Sequence, residues 1–285
     1  MLTVRPAAVA GMFYPGAPRA LEASVRALLD VAPRPAATDA TDAIWPKALI
    51  VPHAGYVYSG PIAASAYARL LPGRSRIRRV VLLGPVHRVP IRGLALPAAE
   101  SFVTPLGAVA VDADAATRLH AMPQVCESEA AHSLEHSIEV QLPFLQSILD
   151  EFTFVPLVVG DATPMEVAEV IERVWGGTET LIVVSSDLSH YHPYDEAVEI
   201  DRSTAGDILA LADSLDHEQA CGATPINGFA LCARRHGLTT ELIDLRNSGD
   251  TAGEKSRVVG YAAFAFAKNA PERIATRHLE ETVDA

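Results

Sequence analysis

The stretch TLIVVSSDLSHYHPY, residues 180–194, decides the fold class of this chain. Its first five residues form a continuous apolar and β-branched run, which is typical of a strand buried on both faces of a sheet. The run ends abruptly in serine, aspartate and histidine. A buried strand that ends in this way predicts either a capped turn or the edge of a binding site.

Similar short apolar runs recur along the chain and alternate with amphipathic stretches. The runs predict strands at 47–51, 79–83, 154–159 and 180–184, with later strands at 241–245 and 258–266. The amphipathic stretches predict helices at 20–31, 60–71, 134–149, 164–175, 195–212 and 225–236. This alternation indicates an α/β/α sandwich with a largely parallel or mixed central sheet. Residues 94–111 differ, because short strands and Pro/Gly turns there predict an antiparallel edge or excursion.

Composition and charge indicate a globular protein and argue against some classes of partner. The chain has 285 residues, 49% of them hydrophobic and 20% charged, with a formal net charge of −12. This predicts one domain over 1–285, with a surface loop at 32–43 and a peripheral polar tail at 268–285. The negative charge argues against nucleic-acid and anionic-membrane partners. With no spanning apolar stretch, no recognisable signal peptide and no CxxC pair among three cysteines, we expect a cytoplasmic protein.

Three predicted strands end in loops that carry a histidine. The loops are PHAGY with His53, GPVH with His87, and SSDLSH with Asp187 and His190. Each histidine taken singly also fits a turn cap. If the strands are parallel neighbours, however, all three loops lie at the carboxyl edge of one sheet, where open α/β sheets bind ligands. Imidazole is a common metal ligand and a proton donor or acceptor near neutral pH, so the cluster predicts a metal site, a proton-transfer site or both.

Cys221 is a further candidate ligand. It lies just before the predicted helix 225–236, where Thr224 fits the N-cap and Pro225 the first helical position. The positive end of a helix dipole favours thiolate, the form that binds metal, so we expect a lowered pKa for Cys221. Cys126 and Cys232 fit inert positions.

The string HSLEH, residues 132–136, matches the H-x-x-E-H pattern of zinc hydrolases. This interpretation makes His132 and His136 zinc ligands and Glu135 the general base. The match rests on three fixed letters, and an alternative stays open. With Ser133 as a helix N-cap, His132 lies outside the helix and the two histidines no longer form a pair.

Six ordered motifs resemble those of the Memo family, whose bacterial and archaeal members are called AmmeMemoRadiSam system protein B. They are RPAAVAGMFYP, VPHAGYVYSGPIAASAY, LLGPVH, EHSIEVQLPFL, SSDLSHY and CGATPI, and they run from Arg5 to Ile226. The resemblance implies a fold similar to the class III extradiol ring-cleaving dioxygenases. The family name also implies a pathway link to an AMMECR-type protein and a radical-SAM enzyme.

The resemblance implies specific roles for the candidate residues. His53 and His87 match metal-ligand histidines, His190 matches an acid/base histidine, and Asp187 lies beside it. Cys221 matches the position where the dioxygenases have a carboxylate. Two histidines and one carboxylate form the usual non-haem iron site, and a thiolate in its place is softer.

The expected function is therefore metal-dependent redox chemistry on a small molecule, with aromatic compounds among the candidate substrates. Fe(II) is the first expected metal and copper the second, with zinc also compatible. One alternative is a non-enzymatic protein that binds a peptide or partner on a vestigial dioxygenase fold. Another is the zinc hydrolase built on HSLEH.

Overall fold

The computed structural model describes residues 3–33 and 45–268. The strands are β1 (Val4–Arg5), β2 (Ala48–Val51), β3 (Arg79–Pro85), β4 (Leu94–Leu96), β5 (Ser101–Thr104), β6 (Gly107–Ala110), β7 (Val125–Glu127), β8 (Thr153–Val159), β9 (Thr180–Ser185), β10 (His190–His192), β11 (Leu238–Asn247) and β12 (Val258–Lys268). The helices are α1 (Pro18–Val31), α2 (Tyr56–Tyr67), α3 (Ala113–His120), α4 (Glu129–Ser133), α5 (Leu142–Ile148), α6 (Pro164–Arg173), α7 (Tyr194–Leu209) and α8 (Ala223–Arg235). Short 3₁₀ turns lie at Ala68–Gly73, Glu139–Gln141 and Ser248–Asp250.

The main sheet is mixed, with a parallel centre. Its strands lie in the order β10-β12-β2-β9-β3-β8-β4-β7, and β11 pairs with β12. The central strands β2, β9, β3 and β8 are parallel neighbours, whereas β12 and β4 pair antiparallel with β2 and β8. A second small sheet contains β1, β5 and β6, with β5 and β6 antiparallel. This architecture confirms the predicted fold class and the excursion at 94–111.

Helices cover both faces of the main sheet and enclose two hydrophobic cores. In β2, Leu49 and Val51 pack into the core beneath α1, α2 and α5, whereas Ala48 and Ile50 pack into the core beneath α3, α6, α7 and α8. This alternation follows from the two-residue period of a strand. Because both faces are covered, the central strands read as continuous apolar runs in the sequence.

One predicted helix is wrong. The stretch 134–149 forms an irregular segment, a 3₁₀ turn at Glu139–Gln141 and then the short helix α5. The physical cause is Glu135, whose buried carboxylate accepts the backbone N–H groups of His136 and Ser137 at 2.8 and 2.9 Å. Backbone N–H groups that donate to a side chain do not donate to the carbonyls of an α-helix, so the helix is not favoured here.

The predicted surface loop 32–43 lies outside the described residues except for Ala32 and Pro33. The predicted tail 268–285 also lies outside them except for Lys268, the last residue of β12. Within the described ranges, no helix is both long and apolar enough to cross a membrane.

Candidate metal centre

The candidate site lies at the carboxyl edge of the parallel strands. β9 lies between β2 and β3 and runs parallel to both. The loops that follow the three strands therefore meet, and they carry His53, His87 and the segment from Ser186 to His190. The predicted convergence of the three strand-end loops is confirmed.

Three histidines cluster at this edge. One donor atom from each of His53, His87 and His136 lies within 4.8 Å of the other two, which is compatible with a shared metal ion. The ring centroids are 5.2 Å apart for His53 and His87, 5.4 Å for His53 and His136, and 4.7 Å for His87 and His136. His136 joins the two strand-end histidines because the segment after Glu135 is not helical.

Hydrogen bonds fix the tautomer of His53. The Ser185 hydroxyl donates to the Ser137 carbonyl at 2.7 Å and accepts from Nε2 of Gln141 at 2.8 Å. Its remaining partner, Nδ1 of His53 at 2.9 Å, must then be the donor. The proton of the neutral imidazole is held at Nδ1, so Nε2 carries the lone pair that a metal requires.

Glu135 orients His87 in a similar way. Its Oε2 accepts the backbone N–H of His87 at 2.7 Å, and its Oε1 lies 2.9 Å from Nδ1 of the same residue. Burial opposes ionisation of Glu135, but the bonds from His87 and from the Ser137 backbone outweigh it and lower its pKa to about 2. The ionised carboxylate leaves Nε2 of His87 as the available metal donor.

The predicted zinc-hydrolase pair does not form. His132 is buried on α4, and its Nε2 lies 2.9 Å from the Ala95 carbonyl, with its ring against Phe102. His136 belongs to the three-histidine cluster instead. Glu135 is a positioning residue for that cluster, because both its oxygens are engaged by N–H groups of this segment and of His87.

Two of the three clustered histidines, His53 and His136, have lowered pKa values. Burial lowers the pKa of His53 well below its usual value, and the neighbouring His136 and His87 lower it further. Burial also lowers the pKa of His136 to about 4. Metal ligation needs neutral imidazole, so these environments favour the ligating form.

Cys221 lies beside the cluster, with its Sγ 3.4 Å from Nε2 of His53. Helix α8 begins at Ala223, with Gly222 as its N-cap. The expected lowering of the thiol pKa is wrong: burial raises the pKa of Cys221 to about 12, and the Asp187 carboxylate adds to the shift. Deprotonation of this thiol therefore depends on a bound cation.

Gly222 allows this close approach of Cys221 to the strand-end loop. Its N–H donates to the Ser186 hydroxyl at 2.9 Å. A Cβ at this position would lie 2.6 Å from Cβ of Ser186. Glycine is thus required at position 222 by the packing of the α8 N-terminus against the loop after β9.

Asp187 and His190 both flank the cluster, but their side chains bond to other partners and not to each other. The Asp187 carboxylate accepts the backbone N–H of His53 at 2.7 Å, and burial raises its pKa to about 7. Nδ1 of His190 lies 2.8 Å from the Leu188 carbonyl, which fixes the proton on Nδ1. Burial lowers the pKa of His190, so its Nε2 is a free proton acceptor. His192 bonds Glu196 at 2.8 Å, away from the cluster.

A cavity of about 620 Å³ opens onto the cluster and is lined by His53, His87, His136, Asp187 and His190. A second cavity, of about 580 Å³, is lined by His87 and Cys221. His87 therefore borders both cavities, and the candidate metal position is approached from two directions.

Comparison with known proteins identifies the family. A family model described as Memo-like protein matches residues 5–265. The chain belongs to the Memo family. It is 35% identical over 283 residues to a MEMO1 family protein of Aquifex aeolicus, covering 93% of this chain and 100% of the relative. It is 37% identical over 276 residues to one of Archaeoglobus fulgidus, covering 90% and 97%.

A solved structure shares the fold of this Memo protein. The uncharacterized protein JW3007 from Escherichia coli K12 matches with a TM-score of 0.52 over 76% of this chain and 98% of its own. The two sequences are 15% identical, so the likeness concerns the fold alone.

Sequence reasoning assigned His136 and Glu135 of this Memo chain only to the zinc-hydrolase alternative, and it did not single out Ser185 as a positioning group. One signal for His136 was present, because Pro143 fits the first turn of a helix and predicts that α5 begins near Leu142. A helix that begins upstream of Leu142 is therefore less favoured than the periodicity of residues 134–149 indicates. Ser185 gave no such signal, since serine at a strand end is common in turns.

Proposed function

We propose that this chain is a metal-dependent redox enzyme that acts on a small aromatic molecule. The observation that supports this most directly is the three-histidine cluster at the carboxyl edge of the sheet, with the Cys221 sulfur 3.4 Å from His53. A free Nε2 on His190 borders the same cavity. Membership of the Memo family is compatible with this chemistry.

The donors fit a first-row transition metal. Imidazole nitrogens suit iron, copper and zinc, and a thiolate adds a softer ligand. Ser185 and Glu135 hold the Nδ1 atoms of His53 and His87, which leaves the Nε2 atoms for the ion. We propose Fe(II) as the metal and copper as the second choice, bound by His53 and His87 with His136 and Cys221 as the further candidate ligands.

When bound, the metal would supply electron-transfer chemistry that no side chain of the cluster has by itself. The chain contributes the rest of the site. His190 accepts or returns a proton at Nε2, because its Nδ1 proton is held by the Leu188 carbonyl. Asp187 supports the site indirectly, since its carboxylate anchors the backbone of the loop that carries His53.

The first test is metal content after anaerobic purification. Near one equivalent of iron or copper per chain is expected, with sharp losses in His53→Ala and His87→Ala and a smaller loss in His136→Ala. His120→Ala is the matched control, because this histidine lies on the surface beside Glu127. Unchanged metal affinity in both His53→Ala and His87→Ala overturns the proposal and favours a non-enzymatic binding protein.

His190→Ala separates proton transfer from metal binding. The variant should keep its metal and lose turnover by roughly 10²–10⁴-fold, the usual contribution of one general acid or base. Oxygen uptake with a panel of catechols provides the rate. Loss of the metal along with the histidine would instead make His190 a ligand and would contradict the assigned role.

A further inference from the structure

The mouth of the 620 Å³ cavity carries an aromatic residue in an unusual backbone conformation. Tyr191 has φ of +66°, in the left-handed region that residues other than glycine and asparagine rarely adopt. The residue is 61% exposed. An exposed tyrosine gains little from burial in return for a strained backbone, so a structural role in the core does not explain it.

A β-bulge causes this conformation. In the pairing of β10 with β12, His190 lies opposite Val259 and His192 lies opposite Val258, so Tyr191 is an extra residue with no partner. Bulges of this kind turn a side chain in a new direction and are frequent beside active sites. Here the bulge directly follows His190 and places the tyrosine ring on the cavity wall.

The bulge brings the ring of Tyr191 against Arg257. The guanidinium carbon of Arg257 lies 4.5 Å from the ring centroid. Such a cation–π contact orients the guanidinium plane while leaving its N–H groups free to bond. Arg257 is exposed, and it forms no ion pair with a carboxylate of residues 3–33 or 45–268.

Arg257 is also the single lysine or arginine among the described residues that line this cavity. The remaining mouth and wall residues include the aromatic side chains Phe13, Tyr58 and Tyr261. Two carboxylate side chains, Glu254 and Asp187, line the same cavity. The cavity thus combines aromatic walls, imidazoles at its base and one uncommitted guanidinium at its entrance.

We propose that Arg257, oriented by the ring of Tyr191, binds the carboxylate of an aromatic acid whose ring enters the cavity towards the histidine cluster. A guanidinium matches a carboxylate with two parallel N–H bonds, so it selects planar anions. This inference rests on the proposed function, because it assigns the substrate class of that same site. Glu254 and Asp187, which line the same cavity, disfavour a ligand with a second negative charge.

A matched pair of probes tests the proposal. Anaerobic calorimetric titration of the metal-loaded protein at pH 7 compares 3,4-dihydroxybenzoate with catechol, which lacks only the carboxylate. The acid should bind roughly 10- to 100-fold more tightly, the usual contribution of a hydrogen-bonded charge. Arg257→Gln should remove this preference, and Arg257→Lys should retain part of it. The preference should also decrease at high salt.

Glu254→Gln is a control in which the affinity for the acid should change in the opposite direction. It should strengthen binding of the acid more than binding of catechol, because it removes a like charge from the mouth. Equal effects of Arg257→Gln on both probes, or no effect on either, overturn the inference. So does failure of the acid to bind more tightly than catechol to the wild-type protein.

The same titrations separate this inference from the proposed function. In His87→Ala the contribution of the catechol hydroxyls should be lost while the preference for the carboxylate remains. If binding of both probes depends on His87 but the acid does not bind more tightly than catechol, the inference is wrong and the proposed metal site stands. If the preference for the acid depends on Arg257 but binding of neither probe depends on His87, the carboxylate site stands and the proposed metal site is wrong.

Tyr191→Gly tests the orienting role of the ring. Glycine relieves the left-handed backbone, so the variant should be at least as stable in urea as the wild type. The preference for the acid should nevertheless decrease several-fold, because the guanidinium loses the ring beneath it. A preference that is unchanged in this variant contradicts the role assigned to Tyr191.

Discussion

At the scale of single residues, Glu135 links two of the three clustered histidines. It holds the ring and backbone of His87 with its two oxygens, and it accepts the backbone N–H of His136. Such carboxylates outside the metal's own ligands set the direction and basicity of a ligating imidazole. The position of both rings therefore depends on a residue that does not itself border the metal position.

Glu135→Gln should weaken metal binding by about 10- to 100-fold without removing a ligand. The amide has one acceptor oxygen and no charge, so it cannot hold both His87 contacts as the carboxylate does. Competition with a chelator of known affinity measures the change. Glu127→Gln, on the surface strand β7, is the control, and equal affinities for the two variants would contradict the positioning role.

Asp201 is a second buried carboxylate, on α7. It accepts the N–H of Ser189 at 3.0 Å, and Gly260 leaves room for it, since a Cβ there would lie 2.0 Å from its Oδ2. Burial raises the pKa of Asp201 to about 6. Between about pH 4 and pH 6 the native protein therefore binds a proton that the unfolded chain has lost.

This shift predicts that the contribution of Asp201 to stability is fully present below about pH 4 and is lost as the pH rises through 6. Asp201→Asn should remove the dependence. The difference in unfolding free energy between the two proteins should change by roughly 2–3 kcal/mol between pH 4 and pH 7. Urea denaturation at both pH values measures it, and parallel pH profiles would rule it out.

At the scale of elements, the start of α8 is fixed by its contact with the loop after β9. Gly222→Ala should destabilise the protein by about 1–3 kcal/mol, because the added methyl group meets Ser186 in a closely packed site. The added methyl group should also displace Cys221, so that metal protects this thiol less well against alkylation. Urea denaturation and thiol labelling measure the two effects.

Gly206→Ala on α7 is the matched control for this prediction. A Cβ at Gly206 would have no heavy atom within 4 Å, and the residue is exposed in a helix. The substitution should stabilise the protein by about 0.5–1 kcal/mol. Destabilisation by both substitutions to a similar extent would contradict the packing argument.

The central strands and the meeting of their loops could be predicted from the sequence, because fully buried parallel strands have an unmistakable apolar pattern. His136 could not be placed in the same way. Its position follows from Glu135 capturing the backbone N–H groups of its own neighbours, a contact between side chain and backbone that periodicity does not reveal. The raised pKa of Cys221 was missed for a related reason, since burial and the charge of Asp187 depend on the assembled fold.

At the scale of the whole molecule, Glu139 fastens the N-terminal segment to the middle of the chain. It is fully buried and pairs with Arg5, accepts the Tyr14 hydroxyl, and accepts the backbone N–H groups of Ala8 and Val9 at 2.8 and 3.0 Å. Arg5 also donates to the Glu135 carbonyl at 2.6 Å. The N-terminal segment thus supports the backbone of the residues that carry His136.

Arg5→Met should destabilise the fold by about 3–5 kcal/mol, because it leaves the buried charge of Glu139 without its cation. Arg26→Met is the control, since the exposed pair of Arg26 with Glu22 is expected to contribute at most about 1 kcal/mol. Denaturation in urea compares the two variants. A loss below 1 kcal/mol in both would show that the remaining bonds to Glu139 suffice.

The position of β9 between β2 and β3 determines when the proposed metal site can form as the chain is made. The ribosome makes His53, His87 and His136 before it makes β9, the strand that sets the first two side by side and that provides Ser185 to hold His53. A nascent chain that ends before residue 185 has the three imidazoles but lacks the complete strand that positions them. The proposed metal can therefore bind to a formed site only after β9 has been made.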